Sequence, residues 1–141
     1  MPNRGIFLLS VLAALLLAGC SPTRVALPVG AAMVLAEVPR SEIITEDDHY
    51  GLRTTRDGRQ ELRIEHRDGS ARVKKPVAVT TIMIQPLSRH TSEVLIRSDS
   101  TGWLWTWRDR GREDSIASDL RRWADTQAEL RRQESGEAPE P

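Results

Sequence analysis

Two periods of apolar and polar residues divide this chain. In "ELRIEHR", Leu62, Ile64 and His66 fall on one side of an extended backbone, and Glu61, Arg63, Glu65 and Arg67 on the other. A period of two predicts a strand with one face in water. Asp57-Gly58 and Asp68-Gly69 flank it, each preceded by arginine. Asp-Gly between alternating segments predicts a two-residue hairpin turn, because glycine takes the positive φ such a turn needs. "PVAVTTIMI" (76–84) is β-branched and apolar on both faces, which predicts a central strand buried on both sides. "SEVLIRS" (92–98) predicts another strand, 99–102 a turn, and "WLWTWR" (103–108) a last strand.

The period changes after Arg108. Ile116, Leu120, Trp123, Gln127 and Leu130 recur at steps of four and three, which places them on one face of a helix over about 114–133. Glu113 and Asp114 at its start and Arg131 and Arg132 at its end suit the macrodipole, and Asp114 or Ser115 could cap it. Gly136 and Pro139 end the pattern, leaving 135–141 as a disordered tail. The expected fold class is α+β: a small antiparallel β-meander of five or six strands packed against one C-terminal amphipathic helix, with 41–134 as a single domain. The expected helix contact is Leu120 and Trp123 against the sheet, with "WLWTWR" the nearest apolar face.

The N-terminus reads differently. Arg4 precedes an apolar run from Ile6 to Ala18, broken only by Ser10 and ending in small residues. This is the layout of a secretory signal, and the run is shorter than the roughly 20 residues that span a bilayer core. Directly behind it, Leu17-Ala18-Gly19-Cys20 resembles the lipobox of bacterial lipoproteins. The resemblance covers the signal and its junction only. It implies a diacylglyceryl group on the Cys20 sulfur, cleavage between Gly19 and Cys20 that removes 1–19, and acylation of the new amine. Two or three acyl chains anchor stably where one binds marginally. Ser21, in place of an inner-membrane-retaining aspartate, is compatible with an outer-membrane location facing the periplasm. Residues 20–40, with Pro22, Pro28 and Pro39, are expected as a lipidated tether that is partly packed; "AAMVLAEV" (31–38) is apolar enough to join the domain as a first strand.

Composition narrows the function. From Cys20 onward, the 20 basic residues less Arg4 leave 19 against 20 acids, a balance that argues against a nucleic-acid partner. Cys20 is the only cysteine, so no disulfide forms within the chain and the fold relies on its apolar core.

Candidate chemistry is sparse. Trp103, Trp105 and Trp107 would share one face of a strand. The first expectation is a core face against the C-terminal helix; the alternatives are a stacking platform for a sugar, peptide or lipid headgroup, or a membrane-interface belt. Glu46-Asp47-Asp48-His49 lacks the ligand spacing of a calcium loop or a zinc site and is expected as a solvated turn, with no metal and no cofactor. His66 is expected as a satisfied core histidine. Ser88 and His90 lack a nucleophile-elbow motif. The expected protein is therefore a lipid-anchored envelope lipoprotein, not an enzyme, that binds or scaffolds another envelope protein or a cell-wall component. A glycan or lipid binder using the tryptophan face is the alternative, and a hydrolase a distant one.

Overall fold

The computed structural model describes residues 21–67, 76–102 and 104–136. Cys20, the Asp68-Gly69 turn and Trp103 lie outside them. In chain order the elements are β1 (Thr23–Leu27), α1 (Ala31–Glu37) with a 3-10 turn at Val38–Arg40, β2 (His49–Thr54), β3 (Gln60–His66), β4 (Ala78–Pro86), β5 (Ser92–Thr101), β6 (Thr106–Arg108) and α2 (Arg110–Ser135). The strands form one antiparallel sheet in the order β1-β5-β4-β3-β2, with β6 also on β5. Strands β2 to β5 make the expected meander, and α2 packs on the sheet, so the fold is α+β as the two periods predict.

The β2–β3 hairpin shows the turn chemistry directly. Gly58 sits at φ +81°, as the Asp-Gly signal requires. The loop is one residue longer than a two-residue turn: Thr55 N–H donates to Arg59 C=O, and Gly58 N–H to Thr55 C=O. That is the three-residue form, with glycine in the left-handed position. Leu62 and Ile64 point into the core and Arg63 to water, as the alternation predicts.

Four expectations change. Ala31–Glu37 is a helix, not a strand; a short apolar run does not distinguish the two, and here Val34 and Val38 fall one turn apart and both bury completely. Thr23–Leu27, expected in the tether, is a sheet strand with Val25 and Leu27 buried. Strand β4 is central, but only Ala78, Thr80, Ile82 and Ile84 are buried; its other face is half-covered, in part by Arg59 of the β2–β3 turn, whose guanidinium lies 3.6 Å from Met83 Sδ. Helix α2 begins at Arg110, because Asp109 is the cap: its Oδ1 accepts Arg112 N–H at 3.0 Å. At the other end Gly136 takes φ +68° and closes the helix as a left-handed cap.

One core results. Val25, Leu27, Leu62, Ile64, Ile82, Ile84, Val94 and Ile96 line one sheet face, and Ile116, Leu120 and Ala124 of α2 and Val34 and Val38 of the N-terminal helical segment cover it. Each fully buried Val, Leu or Ile contributes about 1.5–3 kcal/mol. Leu120 is buried and Trp123 packs half-buried against the same cluster. The surface beneath α2 is β1 and β5, however, and not the "WLWTWR" segment. At the far edge β2 is exposed throughout, with Tyr50 53% and Leu52 51% accessible.

Candidate functional site

The tryptophan segment forms the sharpest surface feature. Among its described residues only Thr106–Arg108 is strand, paired as Thr101↔Thr106, Ser100↔Trp107 and Asp99↔Arg108. Gly102 N–H donates to Trp105 C=O at 2.9 Å and closes the β5–β6 turn. A Cβ on Gly102 would stand 2.7 Å from Trp107 Cζ3, so the glycine lets that ring lie over the turn. The core expectation is overturned for Trp105 and Trp107, which are 68% and 49% exposed, and Leu104 beside them is 70% exposed. The reason is topological. Ile116, Leu120 and Ala124 of α2 already pack over β1 and β5, and β6 sits outside that contact on the edge of β5. Trp103, the third ring of the expected platform, lies outside the described residues.

A buried ion pair fixes this edge. Arg108 donates from Nε to Glu113 Oε1 at 2.8 Å and from Nη2 to Oε2 at 2.7 Å. Thr23 Oγ1 donates to the same Oε2 at 2.7 Å, and Ser98 N–H to Oε1 at 3.0 Å. One fully buried carboxylate therefore ties together β1, β5, β6 and the first turn of α2. Burial alone would raise the Glu113 pKa; the guanidinium, the Ser98 amide and the Thr23 hydroxyl outweigh it and hold it at about 2. The residue was legible only as a helix-start acid; its partner five residues upstream carried no signal of its own.

A polar seam runs from this carboxylate across the core face. Ser98 Oγ lies 3.0 Å from Thr80 Oγ1, Thr80 Oγ1 lies 2.9 Å from His66 Nε2, and His66 Nδ1 lies 3.0 Å from Asp48 Oδ2. Asp48 also accepts the amides of Thr45 at 2.9 Å and Arg67 at 3.2 Å. Burial would raise the Asp48 pKa, but these amides and His66 hold it below the ordinary value. The His66 pKa is lowered, chiefly by burial and further by the Arg112 charge, against the pull of Asp48. An ionised Asp48 can only accept, so neutral His66 carries its proton on Nδ1, Thr80 donates to Nε2, and Ser98 donates to Thr80.

The order carboxylate, imidazole, hydroxyl is that of a nucleophilic relay, and the chemistry fails on access. Thr80 and Ser98 are completely buried on the core side of the sheet, where no substrate carbonyl reaches them. The relay instead clamps the 41–48 loop to β3 and β4. His66 is the satisfied histidine its strand position predicts, whereas Asp48 is not the solvated residue expected of an acidic knot. Asp48, His66, Arg67, Arg112, Ser115 and Asp119 do line an open cleft of about 440 Å³ beside α2, with cations and carboxylates interspersed. Among the described residues no group of three metal-ligating side chains comes together. Ser88 and His90 sit in the exposed β4–β5 turn, where His90 N–H donates to Ser88 Oγ and Ser88 pairs with Thr91. No protein-family model, curated protein or solved structure matches the chain.

Proposed function

We propose that this protein is a lipid-anchored bacterial envelope protein, attached through acyl chains on Cys20, whose domain serves as a non-catalytic binding or scaffolding module. The anchoring rests on Leu17-Ala18-Gly19-Cys20 behind a short apolar run. One observation bears on how the domain would be held: Thr23, three residues after Cys20, is already the first residue of β1, so the proposed anchor leads directly into the sheet. No helix among the described residues is long and apolar enough to cross a membrane. Burial of Thr80 and Ser98 supports a structural and not a catalytic use of the Asp48–His66 pair. The outer membrane, facing the periplasm, is the proposed location, on Ser21.

Mass spectrometry of the N-terminal peptide from bacterial membranes tests the anchor. The expected peptide begins at Cys20 and carries two or three acyl chains. A free thiol on a cleaved or uncleaved chain overturns it, and Cys20→Ser should accumulate as uncleaved precursor. The exposure of Trp105 and Trp107 favours a second reading within the same class, in which this edge contacts a lipid or glycan.

A further inference from the structure

The exposed aromatic edge and the start of the chain lie along one edge of β5: Trp107 faces Ser100, four residues beyond Ile96, the partner of Thr23, or about 13 Å at strand spacing. Thr23 faces Ile96 on β5 and Arg108 faces Asp99 on the same strand edge, three residues further along, or about 10 Å at strand spacing. Glu113 Oε2 joins the two directly, accepting from the Thr23 hydroxyl and the Arg108 guanidinium, each at 2.7 Å. Trp107 is the neighbour of Arg108, and Trp105 and Leu104 complete the turn before it. Cys20 stands three residues before Thr23, and three residues of extended chain reach no more than about 11 Å.

We propose that Leu104, Trp105 and Trp107 seat in the headgroup region of the bilayer that holds the acyl chains of Cys20, so that the domain is docked on the membrane in one orientation instead of swinging from a tether. The inference rests on the acylation of Cys20. Three observations favour the bilayer over a soluble partner for this edge. The leash is too short to carry the edge far from the lipid. The buried Glu113 carboxylate holds the leash and the edge together. The exposed side chains are two indoles and a leucine, and indole, with an apolar body and one N–H donor, favours the membrane–water boundary. The headgroup region is about 5–8 Å deep on each side of the hydrocarbon, a depth that two rings on one turn can occupy while the sheet stays in water. Strand β2, at the opposite edge of the sheet, then points away from the membrane.

The test uses the acylated protein, its N-terminal mass verified, in vesicles of phosphatidylethanolamine and phosphatidylglycerol brominated near the carbonyl end of the acyl chains. Trp103 and Trp123 also emit, so the reading is the difference between the wild type and the Trp105→Phe/Trp107→Phe variant. Both rings are exposed, so this variant should keep the wild-type melting midpoint. The expected difference emission is blue-shifted in plain vesicles, loses most of its intensity in brominated ones, and resists acrylamide. Difference emission that stays at the wavelength of exposed indole and is quenched by acrylamide alone overturns the docking, even with acylation confirmed. So does shielding that arises only when cell-wall glycan fragments or an envelope protein are added. A chain without acyl mass overturns the anchoring instead, and that result is in hand before any fluorescence is read.

Discussion

Arg108 and Glu113 meet through two parallel hydrogen bonds, of 2.8 and 2.7 Å, with the carboxylate fully buried and the guanidinium nearly so. Fork-to-fork pairing gives direction as well as energy. Here it ties the end of β6 to the first turn of α2, whose start Asp109 caps. A buried pair is weak evidence for net stability, but breaking one by removing a single partner is costly. Glu113→Leu should therefore lose about 3–5 kcal/mol, measured as a fall in the urea midpoint. Arg108→Met with Glu113→Leu should lose less than Glu113→Leu alone, because no charge is stranded. Equal losses would show that the Thr23 and Ser98 contacts, and not the ion pair, make Glu113 important.

Acid should unfold the domain in two stages. The His66 pKa is lowered by folding. The unfolded chain therefore takes up this proton first, and stability falls as pH drops below about 6.5 toward the lower folded value. The Glu113 pKa is also lowered, from 4.5 to about 2. Its contribution, on the order of 3 kcal/mol, is present above about pH 4.5 and is lost between there and about 2. Thermal melts across this range should show both slopes. His66→Gln should flatten the upper one and weaken the lower one only by the part of the Asp48 shift that His66 supplies, leaving the Glu113 share in place.

Leu120 and Trp123 share the α2 stripe but not the same depth. Leu120→Ala should cost about 3–5 kcal/mol, as a fully enclosed leucine does. Trp123 keeps one side open toward Ser41, Glu42 and Ile43, so Trp123→Ala should fall at or below the low end of the 3–5 kcal/mol typical of buried aromatics. Chemical denaturation of the two variants checks the order. A larger loss at Trp123 would show that the 41–43 segment closes over the ring in solution.

Two glycines predict opposite outcomes. A Cβ on Gly30 would stand 2.6 Å from the Arg89 carbonyl oxygen, a backbone atom that cannot step aside. Gly30→Ala should cost about 1–3 kcal/mol. A Cβ on Gly102 meets mainly the far edge of the exposed Trp107 ring, which can swing away. Gly102→Ala should leave the melting midpoint within the roughly 0.5 kcal/mol typical of surface changes, while altering the near-ultraviolet circular dichroism of Trp107. A Gly102→Ala loss as large as that of Gly30→Ala would mean that the ring is held.

The parts of this fold legible in the sequence were those with a local cause. Gly58 declared its turn, Leu62 and Ile64 their face, and the stripe from Ile116 to Leu130 its helix. Strand β1 was hidden because it offers only two inward positions, Val25 and Leu27, between Pro22 and Pro28. The start of α2 was missed because its first turn holds no apolar residue; Asp109, three residues before Arg112, was the available signal. The Trp105 and Trp107 alternation suggested one strand face, but burial depends on what lies opposite, and α2 had its surface already. Asp48 and His66, 18 residues apart, and Glu113 with Ser98 and Thr23 meet only once the sheet has formed. Spacing carries no trace of such pairs.

Strand β1 also sets how the domain bears a load. It runs antiparallel to β5 from Thr23↔Ile96 to Leu27↔Ser92. A pull on the chain ahead of Thr23, along the strand, strains the whole ladder in shear, so its bonds must yield together. A sideways pull peels the ladder from the Thr23 end, where the Thr23 hydroxyl also holds Glu113, whose other partners are Arg108 and the Ser98 amide. Resistance to force is a matter of unfolding rate and not of equilibrium stability. Thr23 is thus a latch: a small hydroxyl at the corner where a pull through the proposed anchor would enter, holding closed a strand of five residues.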